Sequence, residues 1–391
     1  MSALVCPYCY LDFAEKEILF RCTGLLGPGG RKCEVKRDPV LFERFGLQEA
    51  LPPTFAAKGR RGDAVCVECS SRTARRVCPR CHSQLPVHFG KIDNRLVAMI
   101  GAKESGKTVY MTVLLHELMH GIGRRFDAAV QGSDDHTRRQ FTDRFEHDLY
   151  GARRLPGTTR SAATEHRLPL VFRVSLTKRR LAREAIRHTL MSFFDTAGED
   201  LTSVESVELN TRYLRSASGV ILLLDPLQMA GARELAATGV PMPGHGPGFD
   251  TPFNVLSRVT ELLQTATRTG PGKKLAIPMA VAFSKIDALW DTFEPGSPLL
   301  QSAPDRRPAL DLDDREAVHE HVRALLHEWD GGQIDQLLRA NYRSYGFFGL
   351  SALGEPPRDG KIAESGIRPH RVEDPFLWLL SQFKVIPTQG S

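Results

Sequence analysis

The stretch at positions 101–108 reads GAKESGKT and decides the fold. It follows the apolar run LVAMI and precedes a helical pattern, the context of the phosphate-binding pattern G-x-x-x-x-G-K-[ST]. Its glycines let backbone N–H groups turn onto phosphates, Lys107 reaches the outer oxygens, and Thr108 can ligate magnesium. We therefore expect a nucleoside triphosphate to contact Gly101, Ala102, Lys103, Glu104, Ser105, Gly106, Lys107, Thr108 and Val109.

Three further motifs also follow predicted strands. In the DTAG motif, Asp195 can hold magnesium through water, and the N–H of Gly198 can meet a γ-phosphate. In the SKID motif, Asp287 can accept bonds from the N1–H and N2–H₂ edge of guanine, which adenine lacks. A backbone N–H at Ser351 or Ala352 would meet guanine O6. The order and spacing of these motifs predict a guanine-nucleotide site.

Apolar runs and helical patterns alternate after residue 94, which predicts an α/β fold with a mainly parallel sheet and helices on both faces. The runs predicted as strands are 96–100, 168–176, 190–194, 219–225, 275–283 and 345–350. The stretches with helical spacing are 138–155, 317–326 and 376–383. Two turn-rich stretches, 226–252 and 289–312, are predicted to be surface loops.

The motifs resemble those of the Ras-like GTPases of the translation-factor-related class, over about residues 95–385. In that family a phosphate loop, D-x-x-G, [NT]-K-x-D and S-A-[KL] occur in this order, and here they read GAKESGKT, DTAG, SKID and SAL. The resemblance implies a P-loop domain that binds GTP or GDP with Mg²⁺. It assigns Thr108 and Asp195 to magnesium, Gly198 to the γ-phosphate, and Lys285 and Asp287 to guanine.

Two positions depart from the family pattern. Ser284 stands where the family has Asn or Thr, which keeps a hydroxyl but weakens the prediction of base specificity. Glu199 stands where Ras has a water-positioning glutamine, so we expect hydrolysis to be slow or partner-stimulated. The candidates for the first-switch threonine are Thr158, Thr159 and Thr164. We favour the pair at 158–159, and the implied catalytic set is Lys107, Glu199 and Thr159.

All 8 cysteines precede residue 82, and in an intracellular chain their C-x-x-C pairs indicate metal binding rather than disulfides. The stronger predicted zinc site is the compact set Cys66, Cys69, Cys78 and Cys81, joined by the link SSRTARRV. The other predicted zinc site is Cys6, Cys9, Cys22 and Cys33. The alternatives are a crossed arrangement, in which pairs from both segments share an ion, and one zinc with free thiols or a redox pair. His82 and His88 are predicted to be surface residues.

These patterns predict two domains. Residues 1–90 form a zinc-binding module, and residues 91–391 form the GTPase domain, with insertions near 226–274 and 289–312. Since no stretch approaches the ~18 apolar residues of a spanning helix, we expect no membrane span and residence in the cytoplasm. The formal charge of +6 falls to about +2 if eight thiolates bind two Zn²⁺, so nucleic acid is not favoured as a partner.

The segment His116-Glu117-Leu118-Met119-His120 matches the H-E-x-x-H pattern of zinc peptidases. It lies about two turns into the helix that the phosphate loop begins. A peptidase would need an open cleft and a third ligand at that place. We therefore interpret the motif as a coincidental histidine pair.

Two function classes compete. The leading hypothesis is a magnesium-dependent GTP-binding switch that hydrolyses GTP, with the zinc module docking a protein partner. Its architecture is also similar to GTPases of bacterial conflict-system operons, some of which work in pairs, so the partner could be a second GTPase. The alternative is a zinc-ribbon scaffold or nucleic-acid-binding protein with a catalytically weak nucleotide domain. An ATPase is a third hypothesis, which must explain Asp287.

Overall fold

The computed structural model describes residues 4–58, 62–102, 104–156, 168–180, 183–193, 212–244, 251–304, 308–357 and 361–390. Several predicted site residues lie outside these ranges, and their roles stay predictions. They are Lys103, Thr158, Thr159, Thr164, Asp195, Gly198 and Glu199.

A seven-stranded sheet forms the centre of the larger part of the chain. Its strands are β1 Asp93–Gly101, β2 Ala128–Gly132, β3 Leu170–Arg180, β4 Arg183–Phe193, β5 Gly219–Leu224, β6 Met279–Phe283 and β7 Tyr345–Gly349. Their order across the sheet is β2-β3-β4-β1-β5-β6-β7. The pairs from β4 to β7 are parallel, whereas β2–β3 and β3–β4 are antiparallel. This topology confirms the predicted α/β fold with a mainly parallel sheet.

The alternation of buried residues along β1 explains why helices cover both faces of the sheet. Leu96, Ala98 and Ile100 belong to the core that also holds the buried face of the helix Pro252–Thr267. Val97 and Met99 belong to the opposite core, with helices Lys107–Glu117 and Asp374–Gln382. The α-helices of this part of the chain are Lys107–Glu117, Gly123–Arg125, Asp135–Arg139, Ala230–Leu235, Pro252–Thr267, Leu312–Glu328, Gly332–Asn341 and Asp374–Gln382.

Two of these helices begin at sequence signals. The hydroxyl of Thr251 accepts a hydrogen bond from the N–H of Asn254, and Pro252 occupies the first turn. The carboxylate of Asp311 caps Leu312–Glu328 through the N–H groups of Asp313 and Asp314. Wider π-helical turns occur at Leu118–Ile122 and Gln140–Gly151, and 3₁₀ turns at Pro226–Gln228 and Ile286–Thr292. Residues 212–216 are also helical.

Several details differ from the sequence prediction. The stretch 226–252 is not only a surface loop, because it contains the helix Ala230–Leu235, and Leu227 and Ala232 are buried in the main core. The edge strand β2 was missed because its alanines have low strand propensity, and its pairing with β3 makes it a strand. The stretch 289–312 is not only a surface loop, because Leu299 is buried in the main core. No helix among the described residues is long and apolar enough to cross a membrane.

The cysteine-rich module consists of small antiparallel sheets. The strand Leu19–Arg21 lies between Thr54–Ala56 and Arg76–Val77, so the two halves of the module interleave. Three further antiparallel pairs join Leu4–Val5 to Asp12–Phe13, Lys36–Arg37 to Ala50–Leu51, and Ala64–Val65 to Arg72–Thr73. The module also contains the 3₁₀ turn Glu15–Glu17 and the helix Pro39–Phe45, and outside it Leu310–Asp311 pairs with Thr388–Gln389.

Candidate functional site

The phosphate loop joins β1 to the helix Lys107–Glu117, hereafter the loop helix. A Cβ at Gly101 would lie 2.3 Å from the carbonyl oxygen of Leu223, so only glycine fits there. Gly106 has a φ of +80°, which glycine adopts readily. Gly106 is the N-cap residue of the loop helix and has no side chain that could cap it. No side chain of the N-cap residue therefore accepts a hydrogen bond from the first N–H groups of this helix. A helix start of this kind binds phosphate.

Lys107 folds back over this loop and is only 7% exposed. Its Nζ donates hydrogen bonds to the carbonyl oxygens of Gly101, at 2.9 Å, and Ala102, at 2.8 Å. The hydroxyl of Ser105 also donates to the oxygen of Ala102, at 2.9 Å. The loop is therefore a closed turn with the lysine ammonium at its centre.

The SKID motif contacts the phosphate loop directly. Ser284 Oγ lies 2.9 Å from the carbonyl oxygen of Ser105, and Lys285 Nζ donates to the carbonyl oxygen of Glu104 at 2.8 Å. Both contacts arise because β1 and β6 flank β5, so their carboxyl ends lie at one edge of the sheet. The structure thus brings together two motifs that are about 180 residues apart in sequence.

Asp225 is a site residue that sequence reasoning missed. It follows β5, is fully buried, and its Oδ2 lies 2.6 Å from Nζ of Lys285. Its Oδ1 accepts a hydrogen bond from the N–H of Leu227 at 3.0 Å. The carboxylate therefore orients the lysine that holds the phosphate loop. In the sequence, only its position at the end of an apolar run could have indicated that Asp225 belongs to the site, because a single aspartate before proline matches no known motif.

Asp287 lies next to Ser351, as expected for residues at the ends of neighbouring strands. Burial raises the pKa of the Asp287 carboxyl group, while a hydrogen bond with the Ser351 side chain and the charge of Lys285 oppose the shift. Ser351 is buried, and its hydroxyl accepts from the N–H of Gly354 at 2.8 Å. The neighbouring Ala352 packs against the core under the loop helix. Asp287 is thus a partly buried acceptor at the edge of the candidate nucleotide site.

The predicted magnesium ligand Thr108 lies at the start of the loop helix and is half-buried. Its carbonyl oxygen accepts from the hydroxyl of Thr112 at 2.8 Å. Val109 packs against the core on its face of the sheet. Because Asp195 lies outside the described residues, the magnesium pair stays a prediction.

The eight cysteines form two buried clusters, each with pairs from both segments of the module. The inner cluster consists of Cys6, Cys9, Cys78 and Cys81, and the outer cluster consists of Cys22, Cys33, Cys66 and Cys69. The predicted grouping by segment is therefore wrong, and the crossed alternative is the observed one. The reason is the interleaved three-stranded sheet, in which Leu19–Arg21 pairs with strands from the second half.

The geometry of each cluster fits one zinc ion. Sulfur atoms lie 3.8 and 3.9 Å apart in the inner cluster, and 3.5 and 3.7 Å apart in the outer cluster. Zn–S bonds of about 2.3 Å place tetrahedral thiolates ~3.8 Å apart. Burial raises the pKa of Cys6, whereas hydrogen bonds from Cys6, Cys78 and Cys81 lower that of Cys9. Since thiolates rather than thiols bind zinc, an ion that enters either cluster would displace the protons of these cysteines.

A buried ion pair connects the two clusters. Arg21, beside Cys22, donates from Nη2 to Asp38 at 2.9 Å, and His82, beside Cys81, lies 3.0 Å from the same carboxylate. Burial raises the pKa of Asp38, but the hydrogen bonds of Arg21 and His82 outweigh it and hold the pKa below its ordinary value. His82 is therefore not the surface residue that was predicted, whereas His88 is exposed.

The inner cluster also contacts the large sheet. Tyr8 donates its hydroxyl to Asp134 at 2.5 Å, and Ser192 of β4 donates to the carbonyl oxygen of Pro7 at 2.7 Å. The ring of Tyr10 lies 5.1 Å from that of Tyr213. The inner cluster therefore lies against β4, which ends at Phe193, two residues before Asp195 in the sequence.

The fold and the loop define the class of protein. A parallel sheet with a glycine-rich phosphate loop at its carboxyl edge is the nucleotide-binding architecture of P-loop proteins. Residues 95–326 match the model of the family DO-GTPase2, described as Double-GTPase 2. The match spans more than half of the chain, which belongs to this Double-GTPase family. Guanine nucleotide is therefore the ligand class of the site.

Other comparisons found more distant likenesses. The chain is 28% identical over 361 residues to a Mycolicibacterium smegmatis protein provisionally described as the ESX-1 scaffolding and assembly protein SaeC. The aligned region covers 87% of this chain and 86% of that protein. A Saccharomyces cerevisiae Ski7 GTPase-like domain bound to GDP and inorganic phosphate is 12% identical, with a TM-score of 0.32, over 75% of this chain and 50% of that chain. A bacterial selenocysteine-specific elongation factor, EF-Sec, is 12% identical, with a TM-score of 0.27, over 74% and 29%. The chain thus spans half or less of these solved chains, and the family assignment rests on the family model.

Proposed function

We propose that this chain is a magnesium-dependent guanine-nucleotide switch that hydrolyses GTP slowly. The observation that carries the proposal is the contact between the SKID motif and the phosphate loop, where Lys285 Nζ lies 2.8 Å from the oxygen of Glu104. A base-reading motif fixed beside a phosphate loop suits a nucleotide held at both ends. Membership of a GTPase family supports GTP rather than ATP.

The residues of the site divide the work in this proposal. Lys107 moves its ammonium from the carbonyls of Gly101 and Ala102 to the β- and γ-phosphate oxygens. Thr108 and Asp195 would hold Mg²⁺, and the ion would supply charge neutralisation at the phosphates. Asp287 accepts the N1–H and N2–H₂ bonds of guanine. Catalysis then consists of positioning and charge neutralisation rather than covalent chemistry.

The same proposal makes the chain a switch with low intrinsic activity. Gly198 and the first-switch pair at 158–159 would contact the γ-phosphate and change their arrangement when it leaves. Glu199 has a like charge to the phosphates and cannot orient water as glutamine does, so hydrolysis is slow or needs a partner. The catalytic set of the proposal is Lys107, Glu199 and Thr159.

We further propose that the zinc module, residues 1–90, transmits the nucleotide state to a protein partner. Each of its two cysteine clusters would hold one Zn²⁺, and the inner cluster lies against β4, which precedes Asp195 in the sequence. Apolar side chains are exposed around the outer cluster at Leu25, Leu26, Val65 and Val67. Such a surface suits a protein better than nucleic acid, which would require aromatic stacking and basic groups.

The nature of the partner is also part of the proposal. The description of the mycobacterial relative as a scaffolding and assembly protein supports a protein partner here. The family description, Double-GTPase, supports a second GTPase in that role. Reduced zinc-binding thiols and a guanine nucleotide together suit the cytoplasm.

Competition binding tests the nucleotide assignment. The experiment measures how well unlabelled GTP, ATP or xanthosine triphosphate displaces labelled GTP from the wild type and from Asp287→Asn. The control is Asp291→Asn, because the carboxylate of Asp291 is exposed and lies in the same turn. Since hydrogen bonds to a charged group contribute about 1.5–3 kcal/mol, Asp287→Asn should weaken GTP binding roughly 10- to 100-fold and shift preference toward xanthine. Equal competition by ATP in the wild type would overturn the assignment.

A further inference from the structure

Three potential metal ligands from two helices meet on the surface of the nucleotide domain. They are His116, near the end of the loop helix, His120 in the π-helical turn Leu118–Ile122 that continues it, and Glu146 of the π-helix Gln140–Gly151. One ligand atom from each lies within 4.8 Å of the others. His116 Nδ1 is 2.8 Å from Glu146 Oε1, and the two imidazole rings are 4.2 Å apart. The third ligand that the H-E-x-x-H segment lacked in the sequence is therefore present in the fold.

The backbone explains why these side chains converge. Residues four apart on a helix share one face, which puts both imidazoles on the same side. The helix widens into π-helical turns at Leu118–Ile122, within the motif itself, and Glu146 lies on a second π-helical stretch. Such turns are rare and occur frequently at functional sites.

The second contacts of the two histidines suit metal binding. His120 Nδ1 is 2.9 Å from the carbonyl oxygen of His116. Because a carbonyl oxygen only accepts, Nδ1 is the protonated nitrogen of a neutral imidazole, and Nε2 is the nitrogen with the lone pair that a metal ion needs. Metal-binding histidines are usually oriented by this type of hydrogen bond. The ring of Tyr150 stacks on His116 at 3.9 Å and limits its rotation. The imidazoles are thus oriented before any ion binds.

The cluster is accessible to solvent, because His120 is exposed and an open groove of about 570 Å³ extends to Glu146. The side chains of His116 and Glu146 are 23% and 25% exposed, so an ion can enter without unfolding of the domain. Two imidazole nitrogens and one carboxylate oxygen, with water in the remaining position, are a donor set that suits Zn²⁺.

We propose that His116, His120 and Glu146 bind one divalent ion of the zinc class, separate from the two cysteine clusters. This inference does not depend on the proposed switch function. The ion would connect the end of the loop helix to the helix that precedes residues 157–167, where the first-switch threonines lie. The proposal concerns binding alone, and it adds a third site of the zinc class to the two cysteine clusters.

Cobalt titration of the full chain, with both cysteine clusters occupied by zinc, tests the proposal. One equivalent of Co²⁺ should bind saturably, with visible absorption of a nitrogen and oxygen site and no thiolate charge-transfer band. Loss of one ligand in His116→Ala, His120→Ala or Glu146→Gln should weaken binding by at least about tenfold. The control His147→Ala removes a histidine next to Glu146 that lies outside the cluster and should bind as the wild type does.

A second measurement uses the wild type alone, so it does not depend on how the variants fold. Zn²⁺ should protect His116 and His120 from diethyl pyrocarbonate, read by mass spectrometry, while the modification of His147 stays unchanged. Non-saturable cobalt binding, equal affinity in all the variants, or equal protection of all three histidines would overturn the proposal.

Discussion

The inner and outer cysteine clusters have the same ligands but different surroundings. The inner cluster shares a hydrophobic cluster with Val171 and Leu190 of the large sheet. The outer cluster packs against residues of its own module, Phe20 and Phe55 among them, and apolar side chains around it are exposed. The four cysteines therefore determine the local backbone geometry in both clusters. The neighbouring residues determine that the inner cluster packs against the large sheet and that the outer cluster lies beside an exposed apolar surface.

The largest expected difference follows from removing one ligand at each cluster. Cys78→Ser and Cys66→Ser should each lose one zinc equivalent. Since loss of a structural metal is among the most destabilising changes, Cys78→Ser should lower the free energy of unfolding of the nucleotide domain by more than about 5 kcal/mol. Cys66→Ser should change it by less than ~1 kcal/mol. Denaturant unfolding with a zinc assay measures both, and equal destabilisation by the two variants would refute the distinction.

The ion pair between the clusters gives the next largest effect. Asp38→Asn keeps an acceptor for the N–H of Val40 but leaves the Arg21 guanidinium without its buried counter-charge. Breaking a buried pair costs about 3–5 kcal/mol, so both zinc ions should leave faster to a chelator. The control Asp63→Asn removes an exposed pair with Arg72 and should alter release little. Faster zinc release from only one of the two clusters would show that the ion pair of Arg21 and Asp38 does not connect the clusters.

A smaller effect is expected where the inner cluster meets the large sheet. Tyr8→Phe removes the hydrogen bond to Asp134, which still accepts from the N–H of Thr137. The expected cost is about 1–2 kcal/mol in thermal unfolding of the nucleotide domain, with the zinc content unchanged. The comparable change at the outer cluster, Thr23→Val, removes a 3.2 Å contact with Ser71 and should leave that transition unaltered. An equal shift of the unfolding temperature of the nucleotide domain in both variants would show that the stabilisation is not specific to the inner cluster.

The smallest effect on stability belongs to the surface of the outer cluster. Val67 is 77% exposed, so Val67→Ser should change the free energy of unfolding by less than ~0.5 kcal/mol. The binding of an apolar fluorescent dye should nevertheless fall, because the side chain belongs to an exposed apolar surface. A large loss of stability would mean that this side chain packs against the module instead.

The parts that the sequence predicted depend on local patterns. The phosphate loop was predicted from the spacing of Gly101, Gly106 and Lys107, and the structure adds the steric and torsional reasons for the two glycines. The strand-end positions of Ser284 and Asp287 were predicted because an apolar run precedes them and such runs alternate with helical patterns, as in a parallel sheet. The strands β1, β5, β6 and β7 were predicted for the same reason.

The parts that the sequence could not predict depend on distant contacts. The cysteine grouping follows from the pairing of Leu19–Arg21 with Arg76–Val77, and spacing alone favoured grouping by segment. Asp225 gains its role only from Lys285, which lies 60 residues further along the chain. Glu146 joins the histidines from a separate helix. In each case the partner is determined by the tertiary fold.

Hydrogen exchange of the full chain with GDP and with a non-hydrolysable GTP analogue tests most directly whether the inner cluster senses the nucleotide. The inner cluster contacts β4, which leads to Asp195, so amides in 4–13 should exchange at different rates with the two nucleotides. Amides in 24–35, beside the outer cluster, should exchange at the same rate with both. Identical exchange in 4–13 with both nucleotides, or the same change in both segments, would contradict this account.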